Sequence, residues 1–122
     1  MVSNFNLEEK FSKVKEYWTP KIVGELNGQY VKLAKGKGEL IWHSHEAEDE
    51  LFMIVKGTLI MEFRDQTTQT HAGEILIIPR GVEHKPSAPA GEEVWIMLFE
   101  PKETKHTGEI LHEKTVTDFE WI

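Results

Sequence analysis

The chain has 122 residues, with 14 basic side chains against 21 acidic ones, a formal charge of −7 and no cysteine. That length fits one domain with a core of its own, and the acid excess argues against a nucleic-acid or anionic-membrane partner, both of which want clustered Lys and Arg. The lack of cysteine excludes disulfides, thiolate metal sites and cysteine nucleophiles, and it favours a reducing compartment.

The N-terminal stretch Met1 to Lys10 carries Glu8 and Glu9 and no apolar run, unlike a signal or transit peptide, so a cytoplasmic location is expected. Leu7, Phe11, Val14 and Trp18 then recur at helical spacing. Asn6 followed by Glu9 fits a capping box, and Pro20 stops the pattern. A short helix over about residues 6–18 is predicted, its apolar stripe packed on the rest of the domain.

After Pro20 the pattern becomes that of short strands. Lys21 to Leu26 and Gln29 to Ala34 flank Asn27-Gly28, a strong hairpin signal. Further strands are predicted over Glu39 to His45, Leu51 to Val55, Thr58 to Phe63, Gln69 to His71, Glu74 to Ile78 and Glu93 to Phe99. Arg64 to Thr68 reads as a polar turn and Pro86 to Gly91 as a loop. About eight short strands with regular turn signals predict an all-β sandwich or barrel. The runs Leu51 to Val55 and Val94 to Phe99 are too short to span a bilayer. The last residues, Val116, Phe119, Trp121 and Ile122, are too apolar for a free tail and are expected to pack on the barrel or on a second subunit.

The chemistry is concentrated in two stretches. In Trp42-His43-Ser44-His45-Glu46-Ala47-Glu48-Asp49-Glu50, the two histidines stand at i and i+2 and share one face of a strand. An antiparallel return brings Glu50 beside them, with Glu48 as the alternative carboxylate. Phe52 and Ile54 share the parity of Glu50 and point inward with it. In Gly73-Glu74-Ile75-Leu76-Ile77-Ile78-Pro79-Arg80-Gly81-Val82-Glu83-His84, a strand ends at Pro79, Gly81 permits a bend, and His84 follows. Tyr30, Met61, Phe63, Ile75, Trp95 and Met97 join Phe52 and Ile54 as candidate cavity residues. His71 is placed at the surface; His106 and His112 lie in the tail, where His106 could approach the barrel mouth. Glu83, next to His84, is the one further acid or base candidate.

These two stretches resemble the paired motifs of small single-domain cupins: Gly38…His43-x-His45-x-x-x-x-Glu50-x6-Gly57, then Gly73-x5-Pro79-x-Gly81-x-x-His84. The resemblance covers roughly residues 30 to 100. It departs from the usual pattern at Lys37-Gly38, where the glycine stands one residue nearer the histidines, and at Ala88. The resemblance implies a double-stranded β-helix (jelly-roll) cupin barrel with a short N-terminal helix. Residues 1–122 would be a single cupin domain, with the barrel at about 21–100 and a tail at 101–122. It also implies one divalent metal per chain, held by His43, His45, Glu50 and His84. A sulfur-free set of three imidazoles and a carboxylate suits Fe, Mn, Zn, Ni or Cu and leaves positions open. The expected function is an enzyme acting on a small polar molecule, isomerase-like on sugar phosphates or dioxygenase-like; the alternative is a non-catalytic module that binds or senses a small ligand. Leu51 to Val55 has no polar member and Trp42 faces away from the histidines, so a homodimer is expected.

Overall fold

A computed structural model describes residues 2–113 and 115–122. The helix, α1, is short, Leu7–Phe11. Among the described residues nine strands follow: β1 Lys21–Leu26, β2 Gln29–Gly36, β3 Glu50–Lys56, β4 Thr58–Glu62, β5 Thr67–His71, β6 Ile75–Ile78, β7 Lys85–Ser87, β8 Val94–Pro101 and β9 Glu120–Trp121. They form a six-stranded sheet in the order β6-β3-β8-β2-β1-β9 and a three-stranded sheet in the order β5-β4-β7. Two facing sheets with these crossovers make an all-β jelly-roll barrel.

Side-chain alternation sorts the large sheet into two faces. Ala34 of β2, Phe52 and Ile54 of β3, and Val94, Ile96 and Leu98 of β8 turn inward, where they meet Leu59 and Met61 of the small sheet. Leu33, Trp95 and Met97 turn outward and are roofed by Phe11 and Val14. Phe11 lies stacked on Trp95, ring centroids 4.9 Å apart. Burying one such side chain stabilises by about 1.5–3 kcal/mol, which is why a one-turn helix holds its place.

The helix stops well before residue 18. Asn6 caps it, its side chain accepting from the Glu9 backbone N–H at 3.0 Å. Tight turns follow, with Lys13 N–H donating to Lys10 O and Val14 N–H to Phe11 O. Trp18 leaves the stripe altogether. It adopts a left-handed backbone, φ 53°, and enters the barrel core, its ring flat against Gly36, where a Cβ would sit 2.5 Å from the indole. Its Nε1–H donates to Lys37 O at 2.9 Å. Burial of the largest side chain in the barrel overrides helical spacing.

Two other expectations change. Pro86 lies in a strand, β7, rather than in a loop; β7 is the last strand of the small sheet, and its outer side meets only isolated bridges at residues 39 and 43, with a bulge between them where a missing N–H is tolerated. The cavity candidates also divide. Phe52, Ile54 and Met61 are inside and Phe63 packs against them. Trp95 and Met97 lie under the helix, Tyr30 is half-buried with Trp121 edge-on to its ring at 5.7 Å, and Ile75 is 57% exposed. The chain end returns as expected: β9 runs parallel to β1, Ile122 N–H donates to Ile22 O at 3.0 Å, and the Ile122 side chain joins the Phe11 cluster.

Candidate metal centre

The stretch expected as a strand over residues 39–45 is not one: it pairs with its neighbour only at two isolated bridges, with a bulge between them. Glu39 pairs with Ser87 and His43 with His84, so four steps on one side answer three on the other. A bulge adds a residue and reverses which face the following side chains take. Leu40 therefore points into the core, and so do His43 and His45, while Trp42 stays outside under the Arg64 guanidinium, 3.8 Å from its ring centroid. The bulge is what lets an apolar residue and two imidazoles line one interior from the same short segment.

Neighbouring loops hold this arrangement. His43 and His84 exchange backbone hydrogen bonds of 3.0 and 2.9 Å. Gly81 N–H donates to His45 O at 2.8 Å. Asp49 accepts from the Arg80 backbone N–H at 2.8 Å, and that bond holds its carboxyl below the usual range. Glu50 opens β3 opposite Ile78. The structure thus brings His43, His45, Glu50 and His84 together, all buried, with one donor atom of each within 4.8 Å of the others.

The donor atoms fit a metal. His45 Nε2 lies 3.0 Å and His84 Nε2 3.3 Å from the same carboxylate oxygen, Glu50 Oε1. None of the three makes a hydrogen bond, and buried polar atoms are rarely left so. Atoms bonded to one ion at about 2.1 Å stand about 3.0–3.4 Å apart. His43 Nδ1–H donates to Ile41 O at 2.8 Å and His84 Nδ1–H to Val82 O at 2.9 Å. Both rings are fixed as the tautomer whose Nε2 carries the lone pair, the arrangement that supports ligating histidines.

Electrostatics agree. Burial and then His84 push the His43 imidazole down to about 4, so it is neutral. Burial would raise Glu50, but its contacts with His45, His84 and Glu100 outweigh that and hold it well below the usual carboxylate range. Burial and the Glu50 charge push Glu100 well above that range, against the pull of Lys32. Closely packed carboxyls divide their protons in this way.

Three residues near the centre carried no signal in the two motifs. Lys32 Nζ donates to Glu100 Oε1 at 2.8 Å, both side chains buried, and Lys32 Nζ sits 3.6 Å over the Phe119 ring. Both stand at inward parity, Lys32 with Ala34 and Glu100 with Leu98, which is the sign by which they could have been found. His106 is the third. It lines a cavity of about 40 Å³ with Trp18, Leu40, His43, Glu50 and Phe52, and burial followed by Lys32 pushes its imidazole down to about 4. Glu48 lies outside the cluster. Glu83 is exposed and paired with Arg64 at 3.2 Å, away from the site.

Comparisons with known proteins agree with the geometry. A family model for the cupin domain matches residues 29–100. The chain is similar to YdbB, an uncharacterised protein of Bacillus subtilis (strain 168): 37% identical over 81 residues, 66% of this chain and 72% of the other. A cupin-2 domain containing protein from Shewanella frigidimarina, known from its crystal structure, is 45% identical with a TM-score of 0.76, covering 80% of this chain and 94% of its own. A Neisseria meningitidis protein is 28% identical with a TM-score of 0.73, covering 82% and 100%. With its two motifs converging on one buried cluster inside a jelly-roll barrel, this chain belongs to the cupin family.

Proposed function

We propose that the protein holds one divalent transition metal (Fe, Mn, Zn, Ni or Cu) through His43, His45, Glu50 and His84, and that it acts as an enzyme on a small polar molecule. The observation that carries this reading is the set of buried donors, His45 Nε2, His84 Nε2 and Glu50 Oε1, that face one another without a hydrogen bond. When bound, the metal supplies a Lewis acid for isomerisation, or as Fe(II) a centre for dioxygen chemistry. The chain's own part is to keep Glu50 ionised, to fix the tautomers of His43 and His84 through Ile41 O and Val82 O, and to shape with Trp18, Leu40 and Phe52 the small cavity beside the cluster.

The second reading, a non-catalytic small-ligand module, is favoured by the place of Glu83. The acid or base candidate beside His84 faces outward onto Arg64, which leaves the site poor in proton-transfer groups. Metal-loaded protein assayed against sugar phosphates and diketones, with oxygen uptake followed, separates the two. Turnover supports the enzyme; a rise in melting temperature with a compound that is not consumed supports the module.

We also propose a homodimer. Ile75 and Ile77 are 57% and 59% exposed on β6, the free edge of the large sheet, paired with half-buried Met53 and Leu51. The helix covers Val55 but not this stripe. Apolar sheet surface of this kind marks an interface.

A further inference from the structure

The segment after β8 folds back over the metal-motif loop instead of trailing away. Gly108 presses on Ser44, between the two histidines: a Cβ there would fall 1.9 Å from Ser44 O, and its φ is +61°. Thr107 is fully buried. Its hydroxyl donates to Ile110 O at 2.6 Å and meets Thr115 Oγ1 at 2.7 Å, and Thr115 Oγ1 accepts from the His112 N–H at 2.9 Å. This internally bonded cap carries His106 to the wall between two hollows. One is the 40 Å³ cavity beside His43 and Glu50; the other, a partly open hollow of about 460 Å³, is lined by residues of the 102–119 segment.

The hydrogen bonding of His106 fixes what it can offer. The Val116 backbone N–H donates to His106 Nδ1 at 2.9 Å. A backbone N–H can only donate, so Nδ1 must carry the lone pair and the ring's proton sits on Nε2. The two ring nitrogens point apart, so the Nε2–H is directed away from Val116, on a ring that forms part of the cavity wall. His106 is therefore the reverse of the ligating histidines: His43 and His84 present a lone pair, and His106 presents a proton.

Resting on the metal reading above, we propose that His106 is a ligand-binding residue whose Nε2–H donates to one oxygen of a small carboxylate seated in the cavity beside the metal. A cation held beside His43 and Glu50, and an N–H donor on a ring that lines the same cavity, both call for oxygen lone pairs, and a carboxylate offers one oxygen to each. The cavity has room for about three water molecules, which suits a ligand of a few non-hydrogen atoms. A purely structural His106 would need only Nδ1, to hold Val116.

The test uses full-length protein loaded with Co(II), titrated with acetate and followed by its visible absorption. His106→Phe removes the donor and is expected to weaken acetate binding about tenfold with Co(II) still bound. His106→Gln can accept from Val116 through its amide oxygen and donate through its amide nitrogen, and it is expected to stay within about threefold of wild type. In Zn(II)-loaded wild type, ¹⁵N-edited NMR should show His106 protonated at Nε2 alone, with that proton moving downfield on adding acetate. This second measurement needs no variant and holds even if the Phe protein fails to fold. Equal acetate affinity in wild type and His106→Phe, or an Nε2 proton unmoved by acetate, overturns the proposal while leaving the metal site standing. Wild type that takes up neither Co(II) nor Zn(II) overturns both.

Discussion

His43 and His84 exchange both backbone hydrogen bonds, 3.0 Å in one direction and 2.9 Å in the other, so two residues 41 positions apart in sequence are locked face to face. Their rings lie 4.4 Å apart, centroid to centroid. Backbone pairing holds this spacing. The metal-free protein is therefore expected to keep its fold when His84 is replaced by Ala. Far-ultraviolet circular dichroism of His84→Ala should match wild type while metal content falls; loss of the strand signal would show that the ring itself holds the loops.

Glu50, not Glu48, is expected to act as the carboxylate ligand. Glu50 is buried at the start of β3, and Glu48 lies in the connecting loop. Metal content measured after reconstitution should survive Glu48→Gln and fall with Glu50→Gln. The opposite pattern would mean that the loop and strand exchange places on binding.

Much of this was legible in the sequence because strands repeat at two. The parity of Glu50, Phe52 and Ile54 gave their common inward face, and the turn Asn27-Gly28 gave the first hairpin. The parts that were not legible depend on events outside the local pattern. Trp18 follows helical spacing and still leaves the helix, because the space over Gly36 offers more burial. The bulge between Glu39 and His43 has no composition of its own; it shows only in how that segment registers against residues 84–87. His106 could be placed only as a residue able to approach the barrel mouth, since its position depends on the cap formed by Thr107, Gly108 and Thr115. The cluster of three histidines and one glutamate was legible as a family pattern, and its orphaned donor atoms only in three dimensions.

Trp18→Ala should be among the most damaging substitutions away from the cluster. The indole is 8% exposed, and removing a side chain of that size from a core costs about 3–5 kcal/mol. Urea unfolding of the metal-free protein measures this. A cost under about 1 kcal/mol would mean that the space over Gly36 is not sealed by the ring.

His106 gives the metal-free protein a pH signature. Its folded value, about 4, lies below the ordinary 6.5. Between those values the unfolded chain binds the extra proton, so stability rises with pH. The contribution is fully present above about 6.5 and is lost as the pH falls toward 4, by up to about 3 kcal/mol. Lys32, Glu50 and His45 act on the same ring, so the difference against His106→Gln isolates it. The stability of wild type relative to that variant should fall between pH 6.5 and 4; a constant difference would show the ring already charged or open to water.

Ile77→Lys tests the dimer. Ile77 is exposed, so the change should cost little folding stability, within about 0.5 kcal/mol. Light scattering is expected to give twice the chain mass for wild type and one chain mass for the variant. A wild-type monomer at micromolar concentration would contradict the interface.

Metal stoichiometry tests the central claim most directly. Elemental analysis of the purified protein after reconstitution and removal of loosely held ions should give one divalent transition metal per chain. His45→Ala should lower the affinity more than about a hundredfold, since even outer-shell partners cost 10- to 100-fold. No metal on wild type, or the same metal content on His45→Ala, would contradict a site built from His43, His45, Glu50 and His84.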